Sequence, residues 1–167
     1  MKKDKKVLLI NAATLNKGLV PSSIYFPIGL LYLGTVLRDN GIDAKILDMN
    51  NYCNTLSSTD AEKRVIECIN DYDPAVIGIG CTFSGAFKSL KSLAKKIKNR
   101  FPGLPIVMGG IHATVFPEEI LKKYNCVDFV VIGEGELTFL ELVNYLTGVA
   151  GSPGDIDGIA FRENGDI

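Results

Sequence analysis

The chain has 167 residues, 47% of them hydrophobic, with 18 Lys and Arg against 19 Asp and Glu, a net charge of −1 and a single histidine. A chain of this length buries about 70% of its unfolded surface in one core, so a single domain needs no covalent staple. The near-neutral charge excludes the basic footprint of a nucleic-acid binder, no apolar run reaches the ~20 residues of a membrane span, and Cys53, Cys68, Cys81 and Cys126 lack the spacing of zinc or iron–sulfur ligands, which predicts reduced, structural thiols.

The basic start Met1 to Lys6 precedes an apolar run, Val7 to Ile10, that breaks at Asn11. It is too short for a signal peptide and reads as the first strand of a cytoplasmic protein. A long connection follows, Asn11 to Phe26, with Asn11, Thr14, Asn16, Ser22, Ser23 and Tyr25 as polar groups for a ligand edge. Connections in such folds usually take two to six residues, and longer ones are usually functional or disordered. A first helix is predicted from Pro27, which suits the first helical position, to Gly41, with Ile28, Leu31, Val36 and Leu37 along it. Ala44 to Leu47 reads as a strand, and a helix capped near Thr59 or Asp60 runs to about Tyr72.

Ala75 to Ile79 is the third strand, and Ala86, Leu90, Leu93 and Ile97 form the apolar stripe of the third helix, whose lysines are a solvated outer face. Ile106 to Met108 is a fourth strand, running into Gly109-Gly110-Ile111-His112-Ala113-Thr114 and a short helix after Pro117. Val127 to Ile132 is the fifth, followed by Gly133-Glu134-Gly135-Glu136 and a helix from about Leu137 to Leu146. Gly148 to Gly154 reads as a linker, and Ile159 to Arg162 as a strand entering an Asn164-Gly165 hairpin turn.

The strand–helix alternation predicts an α/β fold: a doubly wound, flavodoxin-like or Rossmann-like parallel five-stranded sheet with helices on both faces, plus the C-terminal strand. The domain is assigned to residues 1–147. Residues 148–167 are read as the start of a connection to a further C-terminal domain, because a chain seldom ends inside a hairpin.

In such a sheet ligands bind outside the carboxyl ends of the strands. The dinucleotide fingerprint is absent after strand one, where Asn11-Ala12-Ala13-Thr14 stands, and no P-loop occurs. The acidic residues of a phosphoacceptor domain are missing at Asn11 and at Gly80-Cys81-Thr82, and Thr14 alone is a thin phosphate loop for a flavodoxin. Three rim segments suit a ligand too large for one loop: Thr82-Phe83-Ser84-Gly85, Gly109-Gly110 and Gly133 to Glu136.

Taken with Pro27-Ile28-Gly29-Leu30-Leu31-Tyr32-Leu33, Val76-Ile77-Gly78-Ile79, the run from Gly109 to Glu119, and Gly158-Ile159-Ala160-Phe161-Arg162, these segments resemble the N-terminal cobalamin-binding domain of B12-dependent radical S-adenosylmethionine (SAM) enzymes. The anaerobic magnesium-protoporphyrin ester cyclase-like proteins belong to that group. The resemblance implies a corrin over the carboxyl rim and a nucleotide tail descending beside the strands. It further implies a C-terminal radical SAM domain in the same polypeptide, carrying S-adenosylmethionine and a 4Fe-4S cluster, for methyl transfer or radical cyclisation or rearrangement.

On this reading Asn11, Ser22, Ser23, Thr82, Phe83, Ser84, Gly109, Gly110, Ile111, His112, Gly133, Glu134, Gly135 and Glu136 face cobalamin. Gly109 and Gly110 let the tail approach the backbone, so Gly110→Val is expected to abolish binding and spare the fold. Glu134 accepts from ribose hydroxyls. Many cobalamin domains carry a cobalt-ligating histidine in the loop after strand one, and this loop has none. The resemblance then implies base-off cobalamin without a histidine ligand, His112 being a hydrogen-bonded loop residue. Where such domains have a tail-binding serine this chain has Gly80, which passes that contact to Thr82 or Ser84.

Two other functions are consistent with the residues. One is a cobalamin-free recognition or docking module of a radical SAM enzyme, its cleft filled by Phe83, Met108 and Ile111. The other is a flavin- or nucleotide-binding redox module, which would be yellow.

Overall fold

The computed structural model describes residues 5–11, 26–52, 58–82, 84–149, 151–163 and 165–167. Strands β1 (Lys6–Asn11), β2 (Asp43–Asp48), β3 (Val76–Gly80), β4 (Ile106–Gly109), β5 (Phe129–Val131) and β6 (Ile159–Phe161) form one sheet in the order β2-β1-β3-β4-β5-β6. The first five are parallel, and β6 runs antiparallel along β5. The helices are α1 (Ile28–Asp39), α2 (Ser58–Tyr72), α3 (Ser84–Arg100), α4 (Ile111–Val115), α5 (Pro117–Lys123) and α6 (Glu136–Leu146). The doubly wound α/β architecture read from the strand–helix alternation is the one observed.

Central strands read apolar on both sides because both faces of the sheet are covered. Along β1, Leu8 and Ile10 join Ile77, Ile79, Ile106 and Met108 beneath α2, α3 and α5. Val7 and Leu9 join Val76, Val107 and Val131 on the opposite face, under Leu30 and Leu37 of α1 and Phe139, Leu142 and Val143 of α6. The period-2 alternation of a strand thus sorts one sequence into two cores. At Gly78 a Cβ would lie 2.8 Å from Leu9 Cδ2 and 3.1 Å from Phe139 Cζ, so only a residue without a side chain lets the Phe139 ring reach the sheet.

Three elements differ from the expectation. The fifth strand spans three residues rather than Val127 to Ile132; just ahead of it the Asp128 Oδ2 accepts from Lys98 Nζ at 2.6 Å and from the Ile106 amide at 2.7 Å, so a side chain takes the Ile106 amide. The run after Gly110, read as loop up to Pro117, forms the one-turn helix α4 before α5. The last strand completes the sheet edge, where Arg162 Nη1 donates to the Leu121 carbonyl at 2.8 Å and Nη2 to that of Val127. Glu163 and Asp166 beyond it exchange two backbone hydrogen bonds of 2.9 Å.

Candidate functional site

The chain leaves β1 through α1 toward β2 on one side, and β3 lies on the other, so the sheet order reverses between β1 and β3, the position where open α/β sheets form a crevice. Register sets Asn11 beside Gly80 and Gly80 beside Gly109 at the carboxyl ends. Neighbours in a parallel ladder share a face, and the pleat puts this row on the side of α1 and α6. Asn11 Nδ2 donates to Asp48 Oδ1 at 2.9 Å, and the same oxygen accepts from the Asn50 amide at 3.0 Å. Asn11 is therefore held by the end of β2.

The floor beside it is backbone. Leu30 of α1 overlies Gly80, with its side chain 3.5 Å from where a Cβ would stand. A Cβ on Gly109 would meet only Val131, at 3.7 and 3.9 Å, and one on Gly135 would meet Val131 Cγ1 at 3.2 Å and Leu33 Cδ2 at 3.9 Å. Gly133 has a φ of +77° and Glu134 is exposed, while Glu136 opens α6, where a carboxylate suits the positive end of the helix.

The other rim residues gather on the opposite face. Gly110 adopts φ 95°, ψ 177°, and a Cβ there would stand 2.8 Å from the Cys81 carbonyl oxygen and 3.0 Å from its carbon. The glycine at 110 is therefore required by the protein's own backbone, which runs against the expectation that a valine there would spare the fold. From it springs α4. The His112 amide donates to the Cys81 carbonyl at 3.1 Å, and His112 Nδ1 shares a 2.9 Å hydrogen bond with Ser84 Oγ. The imidazole lies against Phe87 and Phe116, with ring centroids 4.4 and 5.1 Å away.

The structure thus divides the expected site into a backbone floor with Asn11, Gly109 and the Gly133 to Glu136 loop, and a hydrogen-bonded cluster of Ser84 and His112 behind it. Thr82 is exposed, and Ile111 is 66% exposed. Met108 is fully buried in the core beneath α3, so neither Met108 nor Ile111 plugs the floor. Ser22, Ser23 and Phe83 lie outside the described residues. Sequence reasoning missed Thr114, whose Oγ1 accepts from the Gly133 amide at 3.0 Å, and the walls Leu30 and Leu33. Leu30 and Leu33 stand three residues apart in the Pro27 to Leu33 run, the signal that could have found them.

Cys81, fully buried between these halves, has its thiol pushed up to about 11 by burial. About one molecule in a thousand then carries the thiolate at pH 8, and the fraction rises only as the pH approaches 11. Iodoacetamide at pH 8 is expected to spare Cys81 in the native protein and to label it after denaturation, as peptide mass mapping would show. Native labelling as fast as that of a free thiol would refute this burial.

Comparison with known proteins points to one family. The model of the B12 binding domain matches residues 18–143. An uncharacterized methyltransferase of Pyrococcus horikoshii is 38% identical over 141 residues, 84% of this chain and 29% of the relative. The anaerobic magnesium-protoporphyrin IX monomethyl ester cyclase of Synechocystis is 34% identical over 149 residues, 89% of this chain and 28% of the relative. Among solved structures, the cobalamin-dependent S-adenosylmethionine radical enzyme OxsB with aqua-cobalamin bound superposes with a TM-score of 0.74 at 20% identity, over 98% of this chain and 21% of that one, a likeness of fold.

The fold defines an open, doubly wound α/β domain whose strand order reverses between β1 and β3. More particularly, the chain belongs to the B12 binding domain family, and cobalamin is its cofactor. The chain spans less than a third of the length of the curated relatives it matches. No described helix is long and apolar enough to cross a membrane.

Proposed function

We propose that this domain binds cobalamin base-off, without a histidine ligand, and presents it to a radical SAM domain of the same polypeptide for methyl transfer, or for a radical cyclisation or rearrangement. The observation that carries the reading is the bare floor at Gly109, where the protein itself would tolerate a Cβ that meets only Val131. A cofactor tail lying there gains close backbone contact, with Asn11, the Gly133 to Glu136 loop and the Leu30 and Leu33 side chains around it. The engagement of His112 with Ser84, Phe87 and Phe116 on the other face supports a domain that supplies no cobalt ligand from this residue.

When bound, cobalamin supplies a cobalt centre able to carry a methyl group or support one-electron chemistry, which is the cofactor's own contribution. The chain's residues hold it, orient it and exclude water. In this reading Glu134 accepts from ribose hydroxyls and Thr82 donates to the tail. The S-adenosylmethionine and 4Fe-4S cluster belong to the partner domain in this reading, residues 1–147 are the cobalamin unit with 148–167 leading onward, and the compartment is the cytoplasm.

Exposed apolar groups support a covering partner. Phe26, Ile28 and Tyr32 at the start of α1 are 80, 61 and 62% exposed, and Leu137 at the start of α6 is 69% exposed. Phe26 precedes α1, Ile28 and Tyr32 lie within its first five residues and Leu137 is the second residue of α6, and exposed apolar surface concentrated on two helices in this way marks an interaction face.

The test is an anaerobic titration with hydroxocobalamin and cob(II)alamin, read by visible spectrum and by co-elution on gel filtration. Stoichiometric binding with a base-off spectrum is expected. Binding with a base-on spectrum would refute the ligation state, and absence of binding at tens of micromolar would favour the docking module.

A further inference from the structure

We infer that α4 is a bracket that aligns the rim loops from behind, and that His112 and Thr114 are positioning residues for cobalamin rather than contacts to it. The inference rests on the cobalamin reading above. Three loops must keep a fixed separation if the floor at Gly109 is to receive a large group, and each ends a different strand. The five residues of α4 reach both neighbouring loops. Toward β3, the His112 amide donates to the Cys81 carbonyl at 3.1 Å and its ring bonds Ser84 at the start of α3. Toward β5, Thr114 Oγ1 accepts from the Gly133 amide at 3.0 Å.

The bracket is anchored at both ends of its own turn. Gly110 launches it in a conformation that brings its backbone against Cys81, and the Thr114 amide closes on the Gly110 carbonyl at 2.9 Å. The Phe87 and Phe116 rings fix the His112 ring, so its bond to Ser84 does not depend on a free rotamer. Thr114 answers one specific need. The Gly133 amide follows β5, where the chain turns through a φ of +77°, and lacks a ladder partner there; the Thr114 hydroxyl supplies one. Preorganised loops bind more tightly because the ordering cost is met before the ligand arrives.

The experiment measures the Kd for hydroxocobalamin and, separately, hydrogen exchange at the Gly133 amide without cofactor. Thr114→Val keeps the shape and removes the acceptor; it is expected to raise Kd roughly 3- to 10-fold and to expose the Gly133 amide to exchange. Thr114→Ser retains the hydroxyl and should restore both readouts to within about 2-fold of the unmodified chain, which a purely steric role would not do. His112→Phe keeps a ring between Phe87 and Phe116, loses the Ser84 bond, and should raise Kd by a similar factor.

Unchanged Kd in Thr114→Val, with the Gly133 amide deprotected, would overturn the positioning role. Unchanged protection in Thr114→Val would overturn the bracket itself. Failure of the unmodified chain to bind cobalamin would instead sink the cobalamin reading, and the Gly133 exchange would still decide the bracket.

Discussion

Gly110→Val is expected to destabilise the fold before any question of ligand arises. The backbone at φ 95°, ψ 177° lies in a region open essentially to glycine alone. Holding a branched residue there costs about 1–3 kcal/mol in backbone strain. Its Cβ would also press to 2.8 Å on a carbonyl oxygen of Cys81, which belongs to backbone and cannot swing aside. Overpacking of this kind adds about 1–3 kcal/mol. Together these predict a melting temperature lower by roughly 10 °C, at 2–4 °C per kcal/mol for a domain of this size. Differential scanning calorimetry without cofactor is the measurement. An unaltered transition would mean that the loop relaxes freely, and would restore the simpler idea that this glycine serves the ligand.

The second large effect belongs to its neighbour. Gly109→Val should leave the melting temperature within about 3 °C, because the nearest atoms to a Cβ there are those of Val131, at ordinary contact distances. Cobalamin binding should weaken by about 10- to 100-fold, the equivalent of roughly 1–3 kcal/mol of intrusion into the cofactor's space. Gly109→Ala should fall between Gly109→Val and the unmodified chain. Equal affinity in all three proteins, measured by spectral titration, would remove the floor at Gly109 from the cofactor site. Two adjacent glycines are thus expected to fail in different experiments, one in calorimetry and one in binding.

This separation shows how much of the site was legible. The glycine pair, the single histidine and the Gly133 to Glu136 loop all stand out in the chain, and all three do lie on the carboxyl rim. Their division between two faces of the sheet was not legible, since it depends on where β4 ends. With Gly109 still in the ladder its Cα keeps the pleat and faces α1 and α6, whereas Gly110 has left the strand and turns its backbone toward Cys81. One residue of strand length decides which side of the rim a glycine serves.

His112 is similar. The resemblance implies a hydrogen-bonded loop residue, but neither its partner Ser84 nor its packing against Phe87 can be read from residues 28 and 25 positions away. Thr114 was passed over because a threonine in a turn has many uses, and its bond to Gly133 crosses 19 residues.

By itself the sequence determined what depends on local periodicity and on residue type: the strand–helix alternation, the apolar stripe from Ala86 to Ile97, the glycine loops at strand ends and the absence of other nucleotide-binding fingerprints. Such features follow from the pleat of a strand and the pitch of a helix, which every short segment carries within itself. Only the tertiary structure decided the strand order that reverses between β1 and β3, the pairing of Asp128 with Lys98, the return of β6 to the sheet edge, and the bonds from α4 to the loops on either side. These depend on hydrogen bonds and packing between residues far apart in the chain, whose energies exist only once the sheet has brought them together.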